Sequence, residues 1–564
     1  MKRITQKIMQ EIMLLAALTG MLGGVAPARE SPAPTWLDDY KIVWTTQSRN
    51  AVDSMPLGGG ALGLNVWVEN GELRFYIGSP DTHTEEGLLV KLGRIRLKTT
   101  PAAFASDFRQ ELDLANACLR LHGRTPSGAE VRLRLWVDAL KPVVHVECAA
   151  DEPLTVEATF ESWPDPNPRY TVKPTLGGLE WNYRLNEKTY ADHRREQIRQ
   201  CGLEGAESQV ADPGRNLTYG GRLTGDGLVP TGEGRGVYLK TPFRAWRVKT
   251  ARPTRKLDLR VLTRVEQAPT LAAWEEGLAA LERSTRATAP ADYAATLRWW
   301  REFWDRSHIV LRPGLALPAR ERDPAWQVGR NYQLFRYMLA CNTTGRFPTL
   351  FNGGFFNVDT PAADGEPLAS DGVSLTPSPD DRLWASCFFM AQNQRLVYWP
   401  LLTTGDFDIM QPALRFYRDA AGTQRARAKK CWAIDGTPYP ELIDWLGLFG
   451  WNFGTPGGHC KAEHLTYHYT SALDFAYMFL EYGRASGRDL RPCSRRSKAS
   501  SPTTINIIAA RTSGAPAGNS APTASWSSIP PAPANTAPIA ATTPTSSPAS
   551  RPSPTACSSC PLKY

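Results

Sequence analysis

The hydrophobic pattern of this 564-residue chain changes period near residue 266, and that change imposes a two-part body before any motif is considered. From Trp36 to about Val265 apolar residues alternate, as in Leu62, Leu64, Val66 and in Val131, Leu133, Leu135, Val137. Asn70-Gly71, Pro126-Ser127-Gly128 and Gly177-Gly178 supply the turns between such runs. Roughly 230 residues of this pattern are too many for a small barrel, so two stacked antiparallel sheets are expected over 36–265. Past Pro269 the spacing becomes helical, with Leu271, Trp274, Leu278, Leu281 on one stripe and Tyr293, Leu297, Trp300, Phe303, Trp304 on the next. Further helices are predicted at Trp326–Asn342, Ala413–Cys431 and Tyr467–Ala485, the last with an apolar stripe of Tyr469, Leu473, Ala476, Tyr477 and Leu480.

Charge sits at the two ends. The net charge is +9, but residues 491–564 hold seven basic and no acidic residues, and residues 1–28 hold Lys2, Arg3 and Lys7 against Glu11. Without those ends the 65 basic and 56 acidic residues fall to 55 of each, which excludes nucleic acid or an anionic membrane as the main partner. Ile12–Val25 followed by Ala26-Pro27-Ala28 reads as a signal peptide over 1–28, because fourteen residues rise only ~21 Å of a ~30 Å membrane core. A secreted or periplasmic protein of a bacterium, with no membrane contact after cleavage, is therefore expected. The widely spaced cysteines Cys118, Cys148, Cys201, Cys341, Cys387, Cys431 and Cys460 read mostly as buried thiols.

From Ser494 to Tyr564 the 71 residues include 15 Ser, 14 Ala, 12 Pro and 9 Thr, too little apolar surface to offset chain entropy. The expectation for 491–564 is disorder, either as a mucin-like stalk or as the product of a shifted reading frame in a GC-rich gene.

Ser54-Met55-Pro56-Leu57-Gly58-Gly59-Gly60-Ala61-Leu62-Gly63 leads into a strand, and no Lys-Ser/Thr follows it, so a tight turn against another domain is expected in place of a phosphate cradle. This stretch resembles the start of glycoside hydrolase family 95. Gln392-Asn393-Gln394-Arg395-Leu396-Val397-Tyr398-Trp399-Pro400 is similar to a second stretch of that family, in which two asparagines help position the attacking water. Asn393 matches one of them and Ala391 replaces the other. Residues 36–490 as a whole look closer to bacterial relatives classed as domain-of-unknown-function family 5703. The resemblance implies an N-terminal β super-sandwich (36–265), a helical linker (266–310) and an (α/α)6 six-hairpin toroid with a glycan-binding cleft (311–490). Twelve toroid helices need ~200 residues, so this toroid is expected to be truncated and the enzyme inactive or degenerate.

Glycoside hydrolysis uses two carboxyl groups, one kept protonated by apolar walls and one ionised. Glu441, in Asp435-Gly436-Thr437-Pro438-Tyr439-Pro440-Glu441 with Trp445 nearby, is the first candidate for the acid, and Asp359, in Phe351-Asn352-Gly353-Gly354-Phe355-Phe356-Asn357-Val358-Asp359, is the second catalytic candidate. Gln392, Asn393, Trp399, Asn352, Trp445 and His464 are the candidate sugar-binding residues. Asp380 and Asp381 are expected only to begin a helix. His464 and His468 have i, i+4 spacing, but Leu465 stands where a zincin has Glu, so no metal and no cofactor is expected. The resulting expectation is a carbohydrate-directed glycoside hydrolase. A non-catalytic glycan-binding or scaffold protein and a polysaccharide lyase are its alternatives, and the oligomeric state is left open.

Overall fold

The structure is a computed structural model and describes residues 35–164, 166–311, 319–359, 369–370, 373–374, 378–380, 382, 388–448 and 470–488. The signal segment 1–28, His464 and the tail 491–564 lie outside the described residues.

Alternating sequence becomes antiparallel strands: β1 (Ile42–Trp44), β2 (Met55–Gly59), β3 (Leu62–Glu69), β4 (Glu72–Gly78), β5 (Arg94–Thr100), β6 (Ser106–Asp113), β7 (Cys118–Arg124), β8 (Glu130–Val137), β9 (Val143–Ser162), β10 (Thr171–Thr175), β11 (Gly178–Arg184), β12 (Leu217–Gly225), β13 (Leu228–Tyr238), β14 (Thr241–Thr250) and β15 (Thr254–Gln267). One layer runs β1-β6-β7-β8-β9-β15-β12-β11-β10, and the other runs β2-β3-β4-β5-β9-β14-β13. The 20-residue β9 belongs to both. Its first half pairs with β8 and β15, and its second half pairs with β5 and β14. Leu64, Val66, Phe75 and Ile95 from one layer meet Leu121, Leu135, Val144 and Val146 from the other in a single buried core, the packing that period-two burial requires of a sandwich. After β11 comes helix α1 (Glu187–Gln200), capped by Asn186.

β15 ends at Gln267, and a 36-residue helix α2 (Leu271–Arg306) begins where the period changes, capped by the Thr270 side chain. The two predicted stripes are one continuous helix, despite Pro290 inside it. It buries Trp274, Leu278, Trp300, Phe303 and Trp304, and Tyr293 and Trp304 donate hydrogen bonds to the carbonyls of Asn116 and Leu114 in the sandwich, at 3.1 Å each.

Then follow α3 (Pro324–Ala340), the two-residue strands β16 (Ala369–Ser370) and β17 (Val373–Ser374), β18 (Phe388–Met390), α4 (Ala391–Thr404), α5 (Gln411–Trp432), β19 (Leu442–Asp444) and α6 (Thr470–Ser486). A buried Arg336–Asp406 pair at 2.8 Å joins α3 to the turn after α4. In α6 the predicted stripe is corrected. Phe475, Met478 and Tyr482 are buried, along with Ala476, whereas Leu473, Tyr477 and Leu480 are about half exposed. The helix is apolar on most of its circumference, so spacing alone could not select the face that packs.

The glycine-rich turn meets the helical part directly. A Cβ on Gly58 would lie 2.7 Å from Cys341 Sγ, and one on Gly63 would lie 2.1 Å from the ring of Phe355. The backbones of β2 and β3 approach the segments after α3 as closely as only glycine allows. Asp380, expected to begin a helix, instead lies in a turn. Its carboxylate accepts from Lys91 N at 2.7 Å, Trp163 Nε1 at 2.9 Å and Arg169 at 2.9 Å, which ties the long loop to the sandwich.

Candidate active site

The short ribbon of β18 and β19 places Glu441. Met390 pairs with Leu442, and the ladder continues one step further with Ala391 N donating to Glu441 O at 2.8 Å. That register brings the Glu441 side chain to the start of α4, whose N-cap position is held by Met390 without a side-chain cap. Gln392 N donates to Glu441 Oε1 at 2.6 Å. A carboxylate borrowed from a distant strand thus does the work that a local Ser, Thr or Asp does elsewhere. A backbone N–H and the positive end of a helix both favour negative charge on that oxygen. That bond fixes Oε1 of Glu441, the residue expected from the sequence to supply the acid, at the start of α4.

Glu441 itself is 3% exposed. Gln392 is exposed and Asn393 half-buried, and both lie in the first turn of α4, so the structure brings these three predicted residues together. Rings line the neighbourhood. Tyr417 lies 5.7 Å from Tyr439, 4.7 Å from Phe475 and 5.2 Å from Phe416. Tyr439 donates to Tyr417 O at 2.5 Å. The Tyr417 hydroxyl is buried without a hydrogen-bond partner. Burial, with Tyr398, Glu441 and Tyr439 nearby, pushes its phenol well above the ordinary value, so it stays a neutral donor beside the carboxylate. The sequence reading missed Tyr417, because a tyrosine on an amphipathic helix carries no local sign of what faces it.

The other predicted residues go elsewhere. Trp399, two turns along α4, is half-buried with its ring 5.6 Å from Tyr477. Trp445 is 2% exposed, stacked 5.0 Å from His83 of the sandwich and edge-on 5.7 Å from Tyr190 of α1. It is an inter-domain core residue and offers no exposed face to a sugar. Asn352 is half-buried in the loop after α3, and its carbonyl accepts from Arg382 at 3.3 Å.

Asp359 is 3% exposed and accepts a hydrogen bond from the Tyr76 hydroxyl on β4. Burial pushes its carboxyl up, against the opposing pull of Tyr76, Arg94 and Lys91. Its partners all belong to the docking of the loop on the sandwich, and no described contact joins it to Glu441. Nearer in sequence, Asp444 is buried and its carboxyl is pushed up to about 7 by desolvation. It accepts from Leu446 N at 3.0 Å and Leu448 N at 2.8 Å. An odd separation along a strand sends it to the opposite face from Glu441.

No group of three or more His, Cys, Asp or Glu able to hold a metal occurs among the described residues. Among them, too, no helix is long and apolar enough to cross a membrane.

Comparison with known proteins places the sandwich and α2. Two of the solved structures that show similarity illustrate it. One is a protein from the human microbiome described as a kojibiose phosphorylase, at TM-score 0.44 and 9% identity over 81% of this chain and 57% of that one. The other is a bacterial glucoamylase complexed with acarbose, at TM-score 0.34 and 9% identity over 73% of this chain and 56% of that one. The chain thus spans little more than half the length of either. No curated protein matches. Residues 43–192 and 168–309 match the family described as Domain of unknown function (DUF5703), over the sandwich and the helix packed on it; the chain carries the N-terminal domain of the DUF5703 family.

Proposed function

We propose that the protein is a secreted glycan-acting protein with a six-hairpin glycosidase-like second half, in which Glu441 is the carboxylate that draws a proton from the attacking water. The observation that carries this is the 2.6 Å bond from Gln392 N to Glu441 Oε1, which fixes the carboxyl group beside an exposed amide, with Asn393 next to it. In the reaction, water loses a proton to Glu441 as its oxygen attacks the anomeric carbon, while an acid protonates the departing glycosidic oxygen. Gln392 and Asn393 supply donors and acceptors for sugar hydroxyls.

Glu441→Gln is a clean test, because the amide oxygen still accepts from Gln392 N and the cap survives. Release of reducing ends from a panel of neutral and acidic polysaccharides should fall by roughly 10²–10⁴-fold with little change in KM. Activity within threefold of the parent would refute the assignment.

A second reading is glycan binding without hydrolysis. It is favoured by one specific observation: the exposed Gln392 and half-buried Asn393 at the start of α4 can hydrogen-bond sugar hydroxyls without any acid. Glycan binding in the parent protein without release of reducing ends would establish it. New ends with the ultraviolet absorbance of unsaturated uronates would instead identify a lyase.

A further inference from the structure

We infer that the outer face of the sandwich holds a second binding site, for an acidic glycan chain bearing carboxylate or sulfate groups. On β6, β7, β8, β9 and β15 the residues that point away from the core form two rows set by strand register. One row is Arg109, His122, Arg132, Ala149, Lys256. Two positions along each strand, on the same face, the second is Glu111, Arg120, Arg134, Glu147, Asp258. These rows floor a groove of about 1250 Å³, walled by the Thr250–Thr254 and Asp226-Gly227 turns.

The first row carries the cations Arg109, Arg132 and Lys256, with the His122 ring between the arginines and the small Ala149 between Arg132 and Lys256. It crosses four inter-strand gaps, about 19 Å at ~4.8 Å each. Its arginines are half-exposed and pair with Glu111 at 2.7 Å and Glu130 at 2.6 Å. Exposed pairs of this kind contribute little, so exchanging their partner for a ligand anion costs little. Lys256 and Arg252 stand exposed on the rim.

The chemistry of the lining selects among polyanions. Among the described residues no Phe, Tyr or Trp lines the groove, so they provide no stacking platform of the kind that single-stranded nucleic acid uses. Glu111, Glu147 and Asp258 in the second row would repel a continuous phosphate backbone, but they accept hydrogen bonds from hydroxyls. The cations Arg109, Arg132 and Lys256 beside the hydroxyl acceptors Glu111, Glu147 and Asp258 match a chain that carries both anionic groups and free hydroxyls, which describes an acidic polysaccharide.

The test is affinity electrophoresis of the full chain at low salt in gels containing polygalacturonate, dextran sulfate, neutral dextran or a thirty-residue oligo-dT. Retardation is expected with one or both acidic glycans, which separates uronate from sulfate as the source. It should be lost at 0.5 M NaCl and weaken at least tenfold in the Arg132→Ala, Lys256→Ala double variant, with Arg109→Ala as a second, independent variant. Thermal melts confirm that the variants fold, and Lys256→Ala alone carries the test if the double variant does not. Equal retardation by neutral dextran, tighter binding of oligo-dT, or retention within twofold in the variants would overturn the proposal. The site does not depend on Glu441: Glu441→Gln should bind unchanged, so loss of hydrolysis and loss of this binding are read separately.

Discussion

Glu161→Gln should destabilise the sandwich far more than its isosteric shape suggests. Glu161 is 1% exposed and is the shared anion of two arginines, with Arg94 Nε at 2.5 Å and Arg96 Nε at 2.9 Å. Arg94, itself 3% exposed, lies over the rings of Tyr238 at 4.3 Å and Phe243 at 4.9 Å and donates to the Tyr76 hydroxyl at 3.1 Å. Tyr76 in turn donates to Asp359. Removing the Glu161 charge leaves a buried guanidinium with Asp359 as the principal remaining anion. Breaking one side of a buried pair costs about 3–5 kcal/mol. For a sandwich of roughly 225 residues that corresponds to a fall of about 10 °C in Tm, at ~2–4 °C per kcal/mol.

Tryptophan fluorescence during thermal and urea unfolding reads the effect. A companion variant, Arg94→Met with Glu161→Gln, should recover part of the loss, since a buried pair replaced as a whole by apolar or neutral groups is often nearly neutral. A Glu161→Gln loss below 1 kcal/mol, or no recovery in the double variant, would refute the view that Arg94 is held by this carboxylate.

Two further outcomes follow from the same contacts. Burial raises Asp444 to about 7, above its unfolded value of ~3.9, so the folded state binds the extra proton between those values and stability falls as pH rises from about 4 to 7. Asp444→Asn keeps the acceptor for Leu446 N and Leu448 N and should remove that share of the slope; parallel stability–pH curves for variant and parent would show the shift is wrong. Gly63→Ala places a Cβ 2.1 Å from Phe355, an overpacking that costs about 1–3 kcal/mol; limited proteolysis should then cleave the 344–359 loop sooner, and an unchanged cleavage rate would mean the loop does not dock through Phe355.

The sequence by itself determined the two-part body. Alternation in β3 and β8 and the switch to three-and-four spacing after Gln267 are local patterns, and burial of one face follows from them wherever the partner comes from. The glycine run likewise announced a close approach, because only a missing side chain makes room for one. The candidate site was legible only in part. Glu441, Gln392 and Asn393 were named as residues, but their meeting depends on β18 pairing with β19, two three-residue strands separated by a whole helical segment. Short ribbons carry no periodic signal.

The tertiary structure alone decided what each acid does. Asp359 reads as a catalytic candidate and Asp380 as a helix start, yet Tyr76 of the sandwich bonds Asp359 Oδ2, and Lys91, Trp163 and Arg169 hold the Asp380 carboxylate. Trp445 reads as a sugar platform and is covered by His83. The exposed stripe of α6 and the charged rows across β6 to β15 were hidden for the same reason: spacing says which residues share a face, and only packing says whether that face meets protein or water.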